Sequence, residues 1–156
     1  MVQTTISQYG AAGFAGLLDG CYSPHAIRSY AAEEAIGLGV PVKLGTDPEK
    51  QVMLVNATSD GALAIGFAIH DQVREQSSAG VVNYAIDEAV SVLTAGRFWA
   101  NTSDAVAAGA TANVTLATGA LTDAAVSAGV IEAFTQITVT FITATTAAGL
   151  AIVEVK

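Results

Sequence analysis

Residues 133–153 read AFTQITVTFITATTAAGLAIV, a run without a single charged side chain. Its length would let a helix cross a bilayer. The pattern inside it argues otherwise. Ile137, Val139 and Phe141 alternate with Thr138 and Thr140, and Thr145-Thr146-Ala147-Ala148-Gly149 interrupts the apolar run. Alternation with a period of two places successive side chains on opposite faces, which is the signature of a strand. The stretch therefore predicts two strands, near 137–143 and 150–155, and no membrane span.

The same period runs through the chain from residue 35. Leu38, Val40, Val42 and Leu44 share one face, as do Ile65, Phe67 and Ile69. Val52 to Val55 forms a short buried run between turn-rich segments at 46–49 and 56–61. Pro41 lies inside the first strand and lacks an N–H, so it predicts an edge position. Further strands are expected from Val90 and Val92 and near 112–117, 120–122 and 126–134. Residues 71–83 are polar and predict an exposed loop. Thr94-Ala95-Gly96, Ala117-Thr118-Gly119 and Ala147-Ala148-Gly149 each precede an apolar pair or run and are read as repeated glycine turns. Short strands at regular spacing predict an all-β fold, a sandwich or barrel.

Residues 1–34 break the pattern. Gly10, Gly13, Gly16 and Gly20 separate the anchors Tyr9, Phe14, Leu17, Leu18 and Tyr22, and no period holds. This Gly/Ala-rich segment is expected to be an irregular arm or loop, either packed on its own domain or laid over a neighbour. Residues 35–156 form the β domain. Ser23-Pro24 could open a short helix. No secretory signal is read in residues 1–18, which lack a positive start and a clean apolar core.

Composition narrows the function. Hydrophobic residues make up 52% and charged residues 13%, against about 25% charge in an average domain. Some low-charge surface is therefore expected to be covered by partners. The net charge of −8 rests on six Lys and Arg and fourteen Asp and Glu. No basic cluster exists to displace phosphate counterions, which excludes nucleic acid and anionic membranes as natural partners. A single cysteine, Cys21, excludes an internal disulfide framework and suits a reducing cytoplasm.

No catalytic constellation emerges. His25 and His70 stand alone, and His70 and Asp71 would point to opposite faces of a strand. Zinc spacings, a calcium loop and a nucleophile elbow are absent. Glu33-Glu34 and Asp87-Glu88 are adjacent carboxylates, read as solvated surface. Gly37-Leu38-Gly39 runs into Val40-Pro41-Val42 rather than a helix, so it is not a dinucleotide fingerprint. Trp99 is read as core. The sequons at Asn56, Asn101 and Asn113 carry no meaning without a secretory signal. No enzyme, cofactor or metal is expected.

Several stretches resemble the structural cement, or capsid decoration, proteins of tailed bacteriophages. They are Ala35-Ile36 with Gly39-Val40-Pro41-Val42; Ile65-Gly66-Phe67-Ala68-Ile69; and Tyr84, Val90-Ser91-Val92-Leu93 and Gly96-Arg97-Phe98-Trp99. Gly119-Ala120-Leu121-Thr122 and the closing Gly149 to Val155 complete the set. The resemblance covers about residues 31–156 and would make Ile27 to Ala32 extended. It implies a small β-barrel or β-tulip-like domain, synthesised in a bacterial host's cytoplasm and residing on the outer capsid surface of the virion. It also implies a homotrimer that clamps adjacent major capsid protein subunits, without cofactor or catalytic residues. Tyr9, Phe14, Leu17, Leu18, Tyr22 and Tyr30 are the candidate interface residues. A competing reading is a virion- or cell-surface β module that recognises a glycan or receptor through exposed aromatics, and a third is a small barrel enzyme.

Overall fold

The computed structural model describes residues 13–20, 24–70 and 83–156. Among these, every regular element is a strand apart from one 3₁₀ turn at Gly61–Leu63. Among the described residues, no helix is long and apolar enough to cross a membrane. Cys21, the Ser23 end of the expected helix and the polar loop at 71–82 lie outside the described residues.

Five strands close a barrel. They are β1 (Ala26–Ala32), β3 (Pro41–Leu44), β4 (Gln51–Leu54), β5 (Ala64–Ala68) and the first half of β7 (Ala89–Thr102). The circuit runs β1-β4-β3-β5-β7 and returns through the antiparallel β1–β7 pair. The short β2 (Ile36–Gly37) and β6 (Asn83–Tyr84) pair with each other beside it. β1 thus belongs to the barrel although it precedes residue 35. Ile27 to Ala32 is extended, and the chain is already in its strand two residues after Pro24.

The fold turns on β7, which spans 14 residues. Residues up to Ala95 pair with β1 and β5. From Gly96 onward the strand pairs with β12 (Gly149–Val155), which in turn holds β11 (Val139–Phe141). Thr102 reaches β9 (Leu121–Thr122), and β8 (Asn113–Thr115) and β10 (Ile131–Ala133) extend that side. The expected turn at Thr94-Ala95-Gly96 is therefore a bend inside one strand. Gly96 has φ +135, and a Cβ there would stand 2.5 Å from the His25 ring. Glycine lets β7 leave the barrel and enter the second layer without breaking.

Two cores follow. Val42, Val52, Ala68, Val90 and Val92 fill the barrel with Ile36 and Tyr84. Phe67, Leu93, Phe98, Phe141, Val114 and Val153 fill the space between barrel and second layer. Phe67 is central there, its ring 4.8 Å from Phe98 and 5.6 Å from Phe134. The strands predicted around residues 40, 65, 90, 115, 140 and 150 are all present. The expected edge position of Pro41 is corrected, since β3 lies between β4 and β5. Pro41 begins the strand, where a missing N–H is tolerated, and its carbonyl still accepts from Val55.

Candidate functional site

The candidate interface residues separate in space. Tyr9 and Tyr22 lie outside the described residues. Residues 13–19 lie along the molecule's own second layer. Gly16 N–H donates to the Trp99 carbonyl at 2.8 Å, Trp99 N–H to Leu17 at 2.8 Å and Asp19 N–H to Arg97 at 3.0 Å. Leu18 forms a bridge with Phe98 and packs against the second core. Leu17 is half-buried, whereas Phe14 is exposed and sets its ring edge-on to His70 at 4.9 Å. Trp99 is half-buried rather than central. Its indole is the floor on which Gly13 rests, and a Cβ at Gly13 would fall 2.7 Å from that ring. Gly13→Val should therefore lift the segment. We expect a loss of about 1–3 kcal/mol and a red-shifted Trp99 emission, read by fluorescence and thermal melting.

Tyr30 stands elsewhere, on β1, half-buried at an open mouth of the barrel. Arg28, Tyr30, Leu44, Ile65, Thr94, Gln136, Ile137 and Lys156 surround a depression of about 360 Å³ there. The mouth exists because β1 and β4 meet only at Ala31–Gln51 and Ala32–Val52. Residues 26–30 of β1 pair with β7 alone.

A second surface was not singled out in the sequence. Val126 and Val130 are 57% and 54% exposed, and Leu63 is 50% exposed. Val126, Ala128 and Ala133 share a shallow depression with Ala62, the neighbour of Leu63. The residues between are a tight turn, Val130 N–H donating to Ser127 at 2.9 Å with Gly129 at φ +73. The strand expected at 126–134 is confined to Ile131–Ala133, which leaves both valines outside it. The Ser127-Ala128-Gly129 triplet, built like the other Ala-Gly turns, was the signal that could have exposed them.

Electrostatics explains how so acidic a chain holds together with few cations. Several carboxylates accept from backbone N–H groups. Glu33 accepts from the N–H and hydroxyl of Thr46 at 2.7 and 2.6 Å, Glu34 from Leu54 at 2.8 Å and Glu88 from Ala85 at 2.6 Å. Glu132 reaches from β10 to the N–H groups of Ser59 and Gly61. The adjacent acids read as solvated surface are thus loop ties, Asp87 aside, which occupies a left-handed position at φ +65. The Thr46 hydroxyl and N–H hold the Glu33 carboxyl below its ordinary value.

Cations are consumed in pairs. Lys43 meets Asp60 at 2.6 Å, Lys50 meets Asp47 at 3.5 Å, and Arg97 and Lys156 share Glu154 at 3.0 and 2.5 Å. The Lys156 hydrogen bond lowers the Glu154 pKa, burial opposes it, and Arg97 adds to the lowering. Among the described residues, Arg28 is the lysine or arginine without an ion pair. No group of three or more metal-ligating side chains occurs among them either. The His70 ring is engaged with Phe14, and the His70 backbone N–H donates to the Gly16 carbonyl at 2.8 Å.

The molecule is a small closed barrel with a second β layer, loops tied by carboxylates and exposed apolar ground. The chain belongs to the structural cement protein family (E217 gp24/Pam3 gp6), whose family model matches residues 2–156. The match reaches residues 2–30, which the resemblance in the sequence did not cover. Its role is that of a phage virion structural protein. No curated protein matches. Among solved structures, the chain is similar to one in the capsid of Myoviridae phage XM1, at 17% identity and a TM-score of 0.68. That likeness covers 98% of this chain and 96% of the other, and at this identity it speaks for the fold.

Proposed function

We propose that this protein binds the outer surface of the mature capsid and clamps adjacent major capsid protein subunits, acting as a homotrimer. Membership of the cement family carries the reading. The exposed apolar ground at Leu63, Val126 and Val130 supports it, because such ground on a soluble β domain marks a place that a partner covers. Val126 and Val130 are uncharged and lose little hydration when buried. A protein that binds only the expanded lattice stabilises that lattice by linkage. Three copies held together multiply weak contacts through effective concentration. In this reading Phe14 and Tyr30 contribute contact area, and Leu18 serves the domain's own core. The protein has no catalytic task here.

The test is reconstitution. Purified protein should sediment as a trimer and bind mature shells that lack it, raising the temperature at which they rupture. Val126→Asp combined with Val130→Asp should weaken that binding at least tenfold, about 1.4 kcal/mol, and leave the melting temperature of free protein unchanged. A monomer that ignores intact shells would overturn the proposal.

A further inference from the structure

We infer that the open edge of β1, together with the barrel mouth beside it, takes an extended acidic segment of the shell protein as an added strand. The inference rests on the capsid-binding reading and names the kind of partner segment.

The backbone supplies the first half of the argument. Ala31 N–H donates to Lys50 and Glu33 N–H to Val52, both toward β4, while Ala32 N–H donates to Glu88 on the β7 side. Backbone groups alternate sides along a strand. Ile27 and Ser29 therefore direct N–H and C=O away from β7, where β4 no longer runs. No described residue bonds to those groups. An open strand edge is a template for pairing, and strand addition uses main-chain bonds for affinity and side-chain pockets for specificity.

Side chains supply the second half. Arg28 and Tyr30 line the mouth with the Thr94 hydroxyl, the Gln136 amide and Lys156. Arg28 is exposed and unpaired among the described residues, in a chain of net charge −8. Lys156 already shares Glu154 with Arg97, so Arg28 is the charge left for a ligand. A strand laid on Ile27–Ser29 would direct alternate side chains into the mouth, and a carboxylate there would meet a guanidinium. A second copy presenting its own β1 is disfavoured. Antiparallel pairing that uses both Ile27 and Ser29 centres the two-fold on Arg28 and sets it opposite its own copy, and like charges directly across a ladder repel.

The experiment titrates shells lacking the protein with wild type, Arg28→Glu and Ser29→Pro. It also places a benzophenone amino acid at Ile27, which is 46% exposed. Ser29→Pro removes the N–H that faces the open edge. Each variant should bind at least tenfold more weakly with its melting temperature held, and the Ile27 crosslink should map to an acidic extended segment of the shell protein. Wild-type binding with both variants unchanged, or a crosslink to a second copy of this chain, overturns the inference and leaves the capsid reading standing. If Ser29→Pro fails to fold, Arg28→Glu decides. Wild type that does not bind overturns both.

Discussion

Gly66→Ala should be the most damaging single-methyl change in this protein, lowering stability by about 3 kcal/mol or more. Gly66 lies in β5, buried in the barrel wall. A Cβ there would stand 2.3 Å from the Leu93 carbonyl oxygen and 2.9 Å from a Val92 methyl. The obstacle is backbone, so no rotamer change relieves it. Either β5 separates from β7 at Phe67–Leu93 and Ala68–Val92, or the ladder slides. Both outcomes disturb Phe67, whose ring is in contact with Phe98 and Phe134 in the second core. Overpacking commonly costs about 1–3 kcal/mol, and a rigid backbone neighbour places this case at or above the upper end. At this chain length that is a fall of about 6–12 °C in melting temperature, at roughly 2–4 °C per kcal/mol. Gly20→Ala is the control. Nothing lies within 4 Å of its Cβ position, and the change should be neutral or stabilising by about 0.5 kcal/mol through the unfolded chain. Equal melting temperatures for the two variants would show that β5 and β7 are not packed this closely.

The strands were legible because burial imposes a period of two on the sequence. Val40, Val42, Ile65, Phe67 and Val139 announce their elements without help from the rest of the chain. What the period cannot report is which strands are neighbours. Pro41 looked like an edge marker because local chemistry favours edges for proline, yet pairing on both sides needed only that it come first in its strand. Gly96 looked like a turn because a positive φ usually reverses a chain; here it bends a strand that two different sheets share. The loop ties were invisible for a similar reason. Glu132 and Ser59 are far apart in sequence, and nothing local says that a carboxylate from β10 will hold the 59–61 backbone. The candidate site was half legible: Tyr30 was named from its residue type. The mouth it lines depends on β1 and β4 meeting at only two residues, which is a property of topology.

Asp60→Ala should cost about 2–3 kcal/mol, with a pH signature that identifies the cause. The Asp60 side chain is 7% exposed and that of Lys43 is 15% exposed, their charged atoms 2.6 Å apart. Asp60 also accepts from the N–H groups of Asn56 and Ala57 at 3.3 and 2.9 Å, closing the turn that leads into the 3₁₀ segment. Removing the carboxylate strands the Lys43 ammonium in a site with little water and frees two backbone donors. Breaking one partner of a fully buried pair costs about 3–5 kcal/mol, and the residual exposure of Lys43 lowers the expectation. Lys43→Met should cost less, about 1 kcal/mol, because the backbone donors still hold Asp60. The double variant should be more stable than the sum of the two losses predicts, which a double-mutant cycle reads directly. Burial alone would raise the Asp60 pKa above its ordinary 3.8, but the Lys43 hydrogen bond and the two backbone N–H groups outweigh it and the net shift is downward. A carboxyl lowered on folding contributes stability that is fully present above its unfolded value and is lost as pH falls through the folded one. The advantage of wild type over Asp60→Asn in urea titrations should therefore hold from pH 7 down to about 4, then shrink toward pH 2. An advantage that grew on acidification would mean that burial dominates and that Asp60 is protonated more readily in the folded chain.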